Sequence, residues 1–280
     1  MREISVEKIT EAVRDLCIEA NVYLGEDVKR AIKMAKAQET KETSSEILQK
    51  IAENIEIAER KEIPVCQDTG MAVVFVKIGQ DVHITGGSLT DAINRGVAKG
   101  YTEGFLRKSV VSDPIERKNT QDNTPAVIHY DITEGENIEI TVSPKGFGSE
   151  NMGSMKMLKP SDGIEGVKEF VLDTVKKAGA NPCPPIVVGV GIGGTMEKCA
   201  YLAKRALSLD LDSENESPYY ARLEKELLEK INETGIGVQG FGGNNTALAV
   251  KILTYPTHIA GLPVAVNINC HVARHKTKIL

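Results

Sequence analysis

The sequence predicts a mixed α/β (α+β) fold. A helical N-terminal layer packs on largely antiparallel sheets, in one large domain spanning residues 1–280. Three observations carry this expectation. Residues 5–60 repeat apolar side chains at spacings of three and four, which is a helical period. From residue 71 onward come short apolar runs that fit buried strands, at 71–78, 186–190 and 264–268. No regular βαβ series runs through the chain, so an all-parallel sheet is not expected. With 280 residues the chain is long enough to bury an ample core.

The elements follow in order. Ser5 is placed to cap a helix whose stripe is Val6, Ile9, Val13, Leu16, Cys17 and Ala20, which assigns Cys17 to the core. Gly25 breaks the chain before a second helix over 27–37. Thr43 and Glu46 have capping-box spacing ahead of Ile47, Leu48, Ile51, Ile55 and Ala58. Pro64 stops that third helix. Strands are expected over 71–78 and 82–84, then a helix over 89–104 that carries Ile93, Val97 and Tyr101. Residues 127–132 and 138–142 read as an antiparallel pair around Glu134-Gly135-Glu136. Further helices are expected over 164–178, from Met196, and over 219–232. Strands are expected over 186–190, 247–253 and 264–268, with a short basic tail at the end.

Composition excludes several classes. Hydrophobic content of 41% and charged content of 26% are ordinary for a globular protein. No apolar run is long enough to cross a membrane. The N-terminus shows no signal-peptide pattern, so a cytoplasmic protein is expected. Net charge is -5, aromatic content is 4% and Trp is absent, which argues against nucleic acid as a partner. Five widely spaced cysteines do not make a disulfide framework; metal or catalytic use is the better expectation for any that matter.

Chemistry concentrates in a few stretches. Val65-Cys66-Gln67-Asp68-Thr69-Gly70 puts a thiol, an amide, a carboxylate and a hydroxyl on successive residues, just where the chain enters a core strand. Lys145-Gly146-Phe147-Gly148-Ser149-Glu150-Asn151 combines a cation with glycines that let backbone N–H groups approach an anion. The run 117–125 reads as a turn whose polar side chains cap it. Gly189, Gly191 and Gly194 satisfy G-x-G-x-x-G after a strand and before a helix, so a dinucleotide site is a rival reading. Cys66, Cys183 and Cys270 each stand at the margin of a core strand beside Pro, Gln or Asn. Three thiolates suit a cluster with one open metal position; a zinc site with His271 as fourth ligand is the alternative.

Taken together, Cys66-Gln67-Asp68-Thr69-Gly70, the 145–151 stretch, Asn181-Pro182-Cys183-Pro184-Pro185 with residues 189–195, Gly240-Phe241-Gly242-Gly243 and Asn269-Cys270-His271-Val272-Ala273 resemble the class I, iron–sulfur fumarate hydratases. More narrowly, the chain is similar to the separate alpha subunit of the two-subunit form and to the L(+)-tartrate dehydratase alpha subunit. The motifs run in register from the first helix to about residue 275. One departure is Phe147, which stands where many relatives carry another Gly and so narrows the anion loop.

The resemblance implies a 4Fe–4S cluster held by Cys66, Cys183 and Cys270, with one iron unligated by protein. It implies that Gln67, Asp68, Arg107 and Gly148 contact a dicarboxylate, with Lys145 adding positive charge, and that His258 works beside Asp68. The family's remaining carboxylate-binding residues and its C–H base belong to a C-terminal domain. Here they are expected from a separate beta subunit, in a hetero-oligomer or dimer of heterodimers. The expected activity is reversible hydration of fumarate to L-malate, a tricarboxylic acid cycle step, with L(+)-tartrate as the rival substrate.

Overall fold

Apolar spacing sets most of the elements in the computed structural model, which describes Met1–Leu280. In chain order they are β1 (Arg2–Ser5), α1 (Val6–Val22), α2 (Glu26–Gln38), α3 (Glu42–Lys61), β2 (Met71–Gly79), β3 (Val82–Thr85), α4 (Leu89–Glu103), β4 (Val127–Thr133), β5 (Ile138–Lys145), α5 (Phe147–Glu150), β6 (Ser154–Leu158), α6 (Gly163–Ala178), β7 (Ile186–Gly193), α7 (Met196–Ala206), α8 (Pro218–Asn232), β8 (Ala247–Tyr255), β9 (Leu262–Asn269) and β10 (Lys276–Ile279). The class is mixed α/β, as expected. Of the seven strand pairings four are antiparallel. The elements gather into two compact units. Met1–Leu24, Ile55–Phe147 and Arg274–Leu280 form the first; Gly25–Asn54 and Gly148–Ala273 form the second. The N-terminal helices are thus shared out: α1 lies in the first unit, α2 and the start of α3 in the second.

In the first unit the sheet order is β10-β5-β2-β4, and β1 pairs with β3 in parallel. Ser5 caps α1 as its side chain predicts, with Oγ accepting from Lys8 N–H at 3.3 Å. The stripe of α1 is buried against α4 and the sheet: Val6, Ile9, Val13, Ile93, Val97, Val74, Ile138 and Ile140 share one core. Each such side chain contributes roughly 1.5–3 kcal/mol on burial. The α1–α4 contact is close because Gly96 and Gly100, four residues apart, leave room. A Cβ at Gly96 would stand 2.6 Å from Val13 Cβ, and one at Gly100 would stand 2.8 Å from Cys17 Cβ.

The second unit has the order β6-β9-β7-β8. Its pleat divides two layers. Val188, Val190, Val264 and Val266 pack with Val167 and Val171 of α6 and Leu223 and Leu227 of α8. On the alternate positions, Ala265 packs with Cys199 and Ala203 of α7.

Several expectations change. β4 and β5 are not paired with each other: both flank β2, β4 in parallel and β5 antiparallel. β8 and β9 flank β7 in the same pattern, so both sheets repeat one β-α-β-β topology. The long α-helical crossover makes the parallel neighbour possible in each case. Short edge strands β1, β6 and β10 were not expected; β10 occupies what reads as a basic tail, and β6 lies inside what reads as a glycine-rich loop. Finally, Gly189 and Gly191 are strand residues, not phosphate-binding turns. Cβ atoms there would stand 2.3 Å from Ala203 O and 2.2 Å from Cys199 O, so these glycines let α7 lie on β7.

Candidate active site

The turn between α3 and β2 is fastened on every side. Val65 N–H donates to Asn21 O at 3.0 Å. The Thr69 hydroxyl accepts from Arg107 N–H at 2.9 Å and lies 3.2 Å from Arg107 O. Tyr101 is fully buried, and its hydroxyl reaches Thr69 O at 2.7 Å and Gly70 O at 3.1 Å. Burial pushes the Tyr101 phenol far up, so it remains a neutral donor. Gly70 has φ +72, and a Cβ there would stand 2.6–2.8 Å from the backbone C, N and O of Lys145.

This scaffold fixes Asp68. One carboxylate oxygen accepts from Gly70 N–H at 3.0 Å, and the other from Phe147 N–H at 3.0 Å. Gly146 packs against it; a Cβ there would be 3.1 Å from Asp68 Oδ2. Asp68 is half-buried and Gln67 is exposed. The Cys66 thiol is half-buried, 3.5 Å from Gln67 Oε1. The Arg107 backbone is latched to the same turn by Thr69, while the residue is exposed. Cys66, Gln67, Asp68 and Arg107 are therefore brought together on one unit. Lys145 differs from expectation. It is buried, 3% exposed, with Nζ 3.3 Å from Gly146 O, so its charge sits under the loop rather than on its surface.

In the second unit, Cys183 and Cys270 flank the same strand pair, ahead of β7 and after β9, which pair directly. The backbone around Cys183 is held by its neighbours. His271 Nδ1 lies 2.9 Å from Cys183 O, and His271 N–H donates to the same oxygen at 3.3 Å. Gln239 donates both its main-chain N–H, at 2.9 Å, and Nε2, at 2.6 Å, to Pro184 O. His271 thus serves the turn through the nitrogen that the zinc alternative left unassigned. Gly148 lies in α5, where a Cβ would meet only Asn181 O at 3.8 Å, so its N-terminal turn is open. His258 is exposed in the β8–β9 turn, with Nδ1 accepting from Ala260 N–H at 3.2 Å. It lines a cavity of about 370 Å³ with Tyr219, Tyr220 and Ile259.

Two residues have parts that the sequence reading missed. Arg274, in the supposed tail, is 5% exposed and donates from Nη2 to Asp68 O; its Nε and Nη1 have no protein partner. Its signal was slight: a lone Arg directly after the apolar pair Val272-Ala273. Asn123, within the 117–125 run, is fully buried. Its Oδ1 accepts from Ser109 N–H at 2.7 Å, and its Nδ2 donates to Gly70 O at 3.1 Å. The capping reading of that run is the one its contacts match.

The thiols sort into two groups, and no disulfide joins any of them. Cys17 and Cys199 are fully buried, and burial pushes their thiols up to about 12 and about 11. Cys66, Cys183 and Cys270 are half-buried or exposed, on loops at strand margins. A soft metal group needs accessible, deprotonatable sulfur on rigid supports, and this second set fits that donor chemistry. A prediction follows for the chain without a cofactor. An alkylating reagent near pH 8 should modify Cys66, Cys183 and Cys270 in the native state and leave Cys17 and Cys199 until unfolding; peptide mass spectrometry reads this directly. Early modification of Cys17 would contradict the sorting.

Comparison with known proteins adds an independent line. The family model described as Fumarate hydratase (Fumerase) matches residues 10–278. A protein of Methanocaldococcus jannaschii named "Putative L(+)-tartrate dehydratase subunit alpha" is 47% identical over 277 residues, 97% of each chain. The L(+)-tartrate dehydratase subunit alpha of Escherichia coli (strain K12) is 32% identical over 282 residues, covering 100% of this chain and 93% of that one.

Proposed function

The chain belongs to the fumarate hydratase (Fumerase) family, and from that premise we propose that residues 1–280 act as the cluster-bearing alpha subunit of a 4Fe–4S-dependent hydro-lyase that hydrates fumarate reversibly to L-malate. A separate beta subunit completes the enzyme, in the cytoplasm. The observation that carries this reading is the Asp68 carboxylate. It is clamped by the N–H groups of Gly70 and Phe147, on the same turn as Cys66 and latched to Arg107 through Thr69.

Cys66, Cys183 and Cys270 would hold the cluster, whose open iron, when bound, supplies a Lewis acid for the hydroxyl that leaves malate. The other groups bind substrate and move a proton. The exposed Arg107 guanidinium pairs with one substrate carboxylate, for which its planar fork is suited. The Gln67 amide and the Gly148 backbone hold further substrate oxygens, and Lys145 biases the potential of the loop from beneath. The Asp68 oxygens keep lone pairs beyond the two N–H bonds they accept, so the carboxylate takes or returns the proton at the hydroxyl position. His258 is the group that exchanges that proton with solvent. The base for the C–H proton and the remaining carboxylate-binding cations come from the beta subunit.

L(+)-tartrate is the second reading, favoured by the names of the relatives at 47% and 32% identity. Dehydration of tartrate uses the same groups and differs only at one extra hydroxyl. The test is the anaerobically reconstituted chain mixed with its beta subunit, assayed on fumarate, L-malate and L(+)-tartrate. Fumarate–malate interconversion with the higher kcat/KM supports the first reading; a preference for tartrate replaces it with the second; activity on neither overturns both. In the active enzyme, Arg107→Ala should lower kcat/KM by about 10–100-fold, chiefly by raising KM, if one charge-assisted carboxylate pair of ~1.5–3 kcal/mol is lost. An unchanged KM would remove Arg107 from the substrate site.

A further inference from the structure

The four-stranded sheets have four outer strands, and they differ in how they are protected. Long, uncharged edges invite pairing with another chain, so native edges carry Lys, Pro or bulges, or are covered. β10 carries Lys276 and Lys278, and β6 carries Lys156. The outer side of β8 is covered: Ile252 N–H donates to Glu224 Oε1 at 2.7 Å, and Asn215 Nδ2 donates to Ile252 O at 2.9 Å. β4 has none of these devices. It reads Val127-Ile128-His129-Tyr130-Asp131-Ile132-Thr133, its seven-residue register with β2 has no bulge, and nothing pairs on its other side. Val127, Tyr130 and Ile132 are exposed by 39%, 42% and 79%.

The strand is also complementary to itself when run antiparallel about Tyr130. Val127 then faces Thr133, Ile128 faces Ile132, and His129 faces Asp131 of the other copy, each pair twice, with Tyr130 opposite its own equivalent. Every opposed pair is thus β-branched, aliphatic, aromatic or of complementary polarity, the kinds of cross-strand pair that stabilise a sheet. Two side chains are already positioned within the chain. Tyr130 Oη is 2.8 Å from Thr90 Oγ1, and the His129 ring stacks on Phe75, with centroids 5.3 Å apart and planes at 18°.

We propose that β4 is a homodimer interface: it pairs antiparallel with β4 of a second copy of this chain about a two-fold axis at Tyr130, joining two four-stranded sheets into one of eight strands. Such an isologous contact closes on itself and leaves no further edge to propagate.

The test uses the full chain. Light scattering should give twice the chain mass for the parent. Ile132→Lys, at a side chain 79% exposed, should give one chain mass with an unchanged circular dichroism spectrum. Under mild oxidation Tyr130→Cys should form a covalent dimer well above the parent's level, because residue 130 faces itself. Ile132→Cys, which faces Ile128 of the other copy, should not. A monomeric parent, an Ile132→Lys variant that keeps the doubled mass, or equal cross-linking at positions 130 and 132 would overturn the proposal. Pairing of β4 with the beta subunit instead would show as an Ile132→Lys variant that loses that subunit while its own doubled mass persists, which also overturns it.

Discussion

Asp68→Asn is expected to leave iron and sulfide content intact and to cut turnover on the order of 100-fold or more, the usual loss when a general acid–base group is removed. The structure adds a second expected effect. Both carboxylate oxygens accept backbone N–H groups, from Gly70 and from Phe147. Asn has one acceptor, so one N–H loses its partner and meets an NH₂ group instead. Hydrogen bonds to a charged acceptor are worth roughly 1.5–3 kcal/mol, so the melting midpoint should also fall by a few degrees. The two effects are separable. Turnover at saturating substrate, iron per chain and thermal unfolding are three measurements on the same sample. Near-normal turnover with a full cluster would remove Asp68 from the proton path, whatever the midpoint does.

Gly70→Ala should be the more damaging change to the architecture. With φ +72, Gly70 occupies the left-handed region, which costs a residue with a Cβ roughly 1–2 kcal/mol. The added carbon would also stand 2.6 Å from Lys145 C and 2.7 Å from Lys145 N, backbone atoms of β5, a central strand that cannot move without moving β2. Gly135→Ala is the natural control. Gly135 has φ +99, but nothing lies within 4 Å of a Cβ there. Backbone strain is common to both; the clash belongs to Gly70 alone. Gly70→Ala should therefore melt lower than Gly135→Ala by about 5 °C or more, and it should take up iron poorly because the Cys66 turn is displaced. Equal midpoints for the two variants would mean that the turn is not tightly seated on β5.

Much of this arrangement was legible in the sequence, and the reasons are local. The α1 stripe from Val6 to Ala20 and the apolar runs of β2 and β7 announce their own burial by period and length. Cys17 and Cys199 declare themselves as core by their neighbours. What stayed hidden depends on distant partners. Nothing near β4 and β5 says that β2 lies between them, because β2 is some fifty residues upstream and the hairpin-like spacing around Gly135 is satisfied by either arrangement. β1, β6 and β10 are short edge strands with Lys or Glu in them, and their pattern is indistinguishable from loop. Gly189 and Gly191 mislead for a physical reason: a glycine that admits a phosphate and a glycine that admits a helix backbone meet the same requirement for close approach. Arg274 is the clearest miss. A basic residue near a chain end reads as solvated, and only the fold reveals that it is buried against the Asp68 carbonyl.

The central claim is that Cys66, Cys183 and Cys270 hold an iron–sulfur cluster. Its most direct test is iron and acid-labile sulfide on the full chain reconstituted anaerobically, beside Cys66→Ser, Cys183→Ser, Cys270→Ser, Cys17→Ser and Cys199→Ser. The account predicts about four irons and four sulfides per chain, lost in each of the first three variants and retained in the last two. Absence of iron from the parent, or loss that ignores the distinction between accessible and buried thiols, would contradict it.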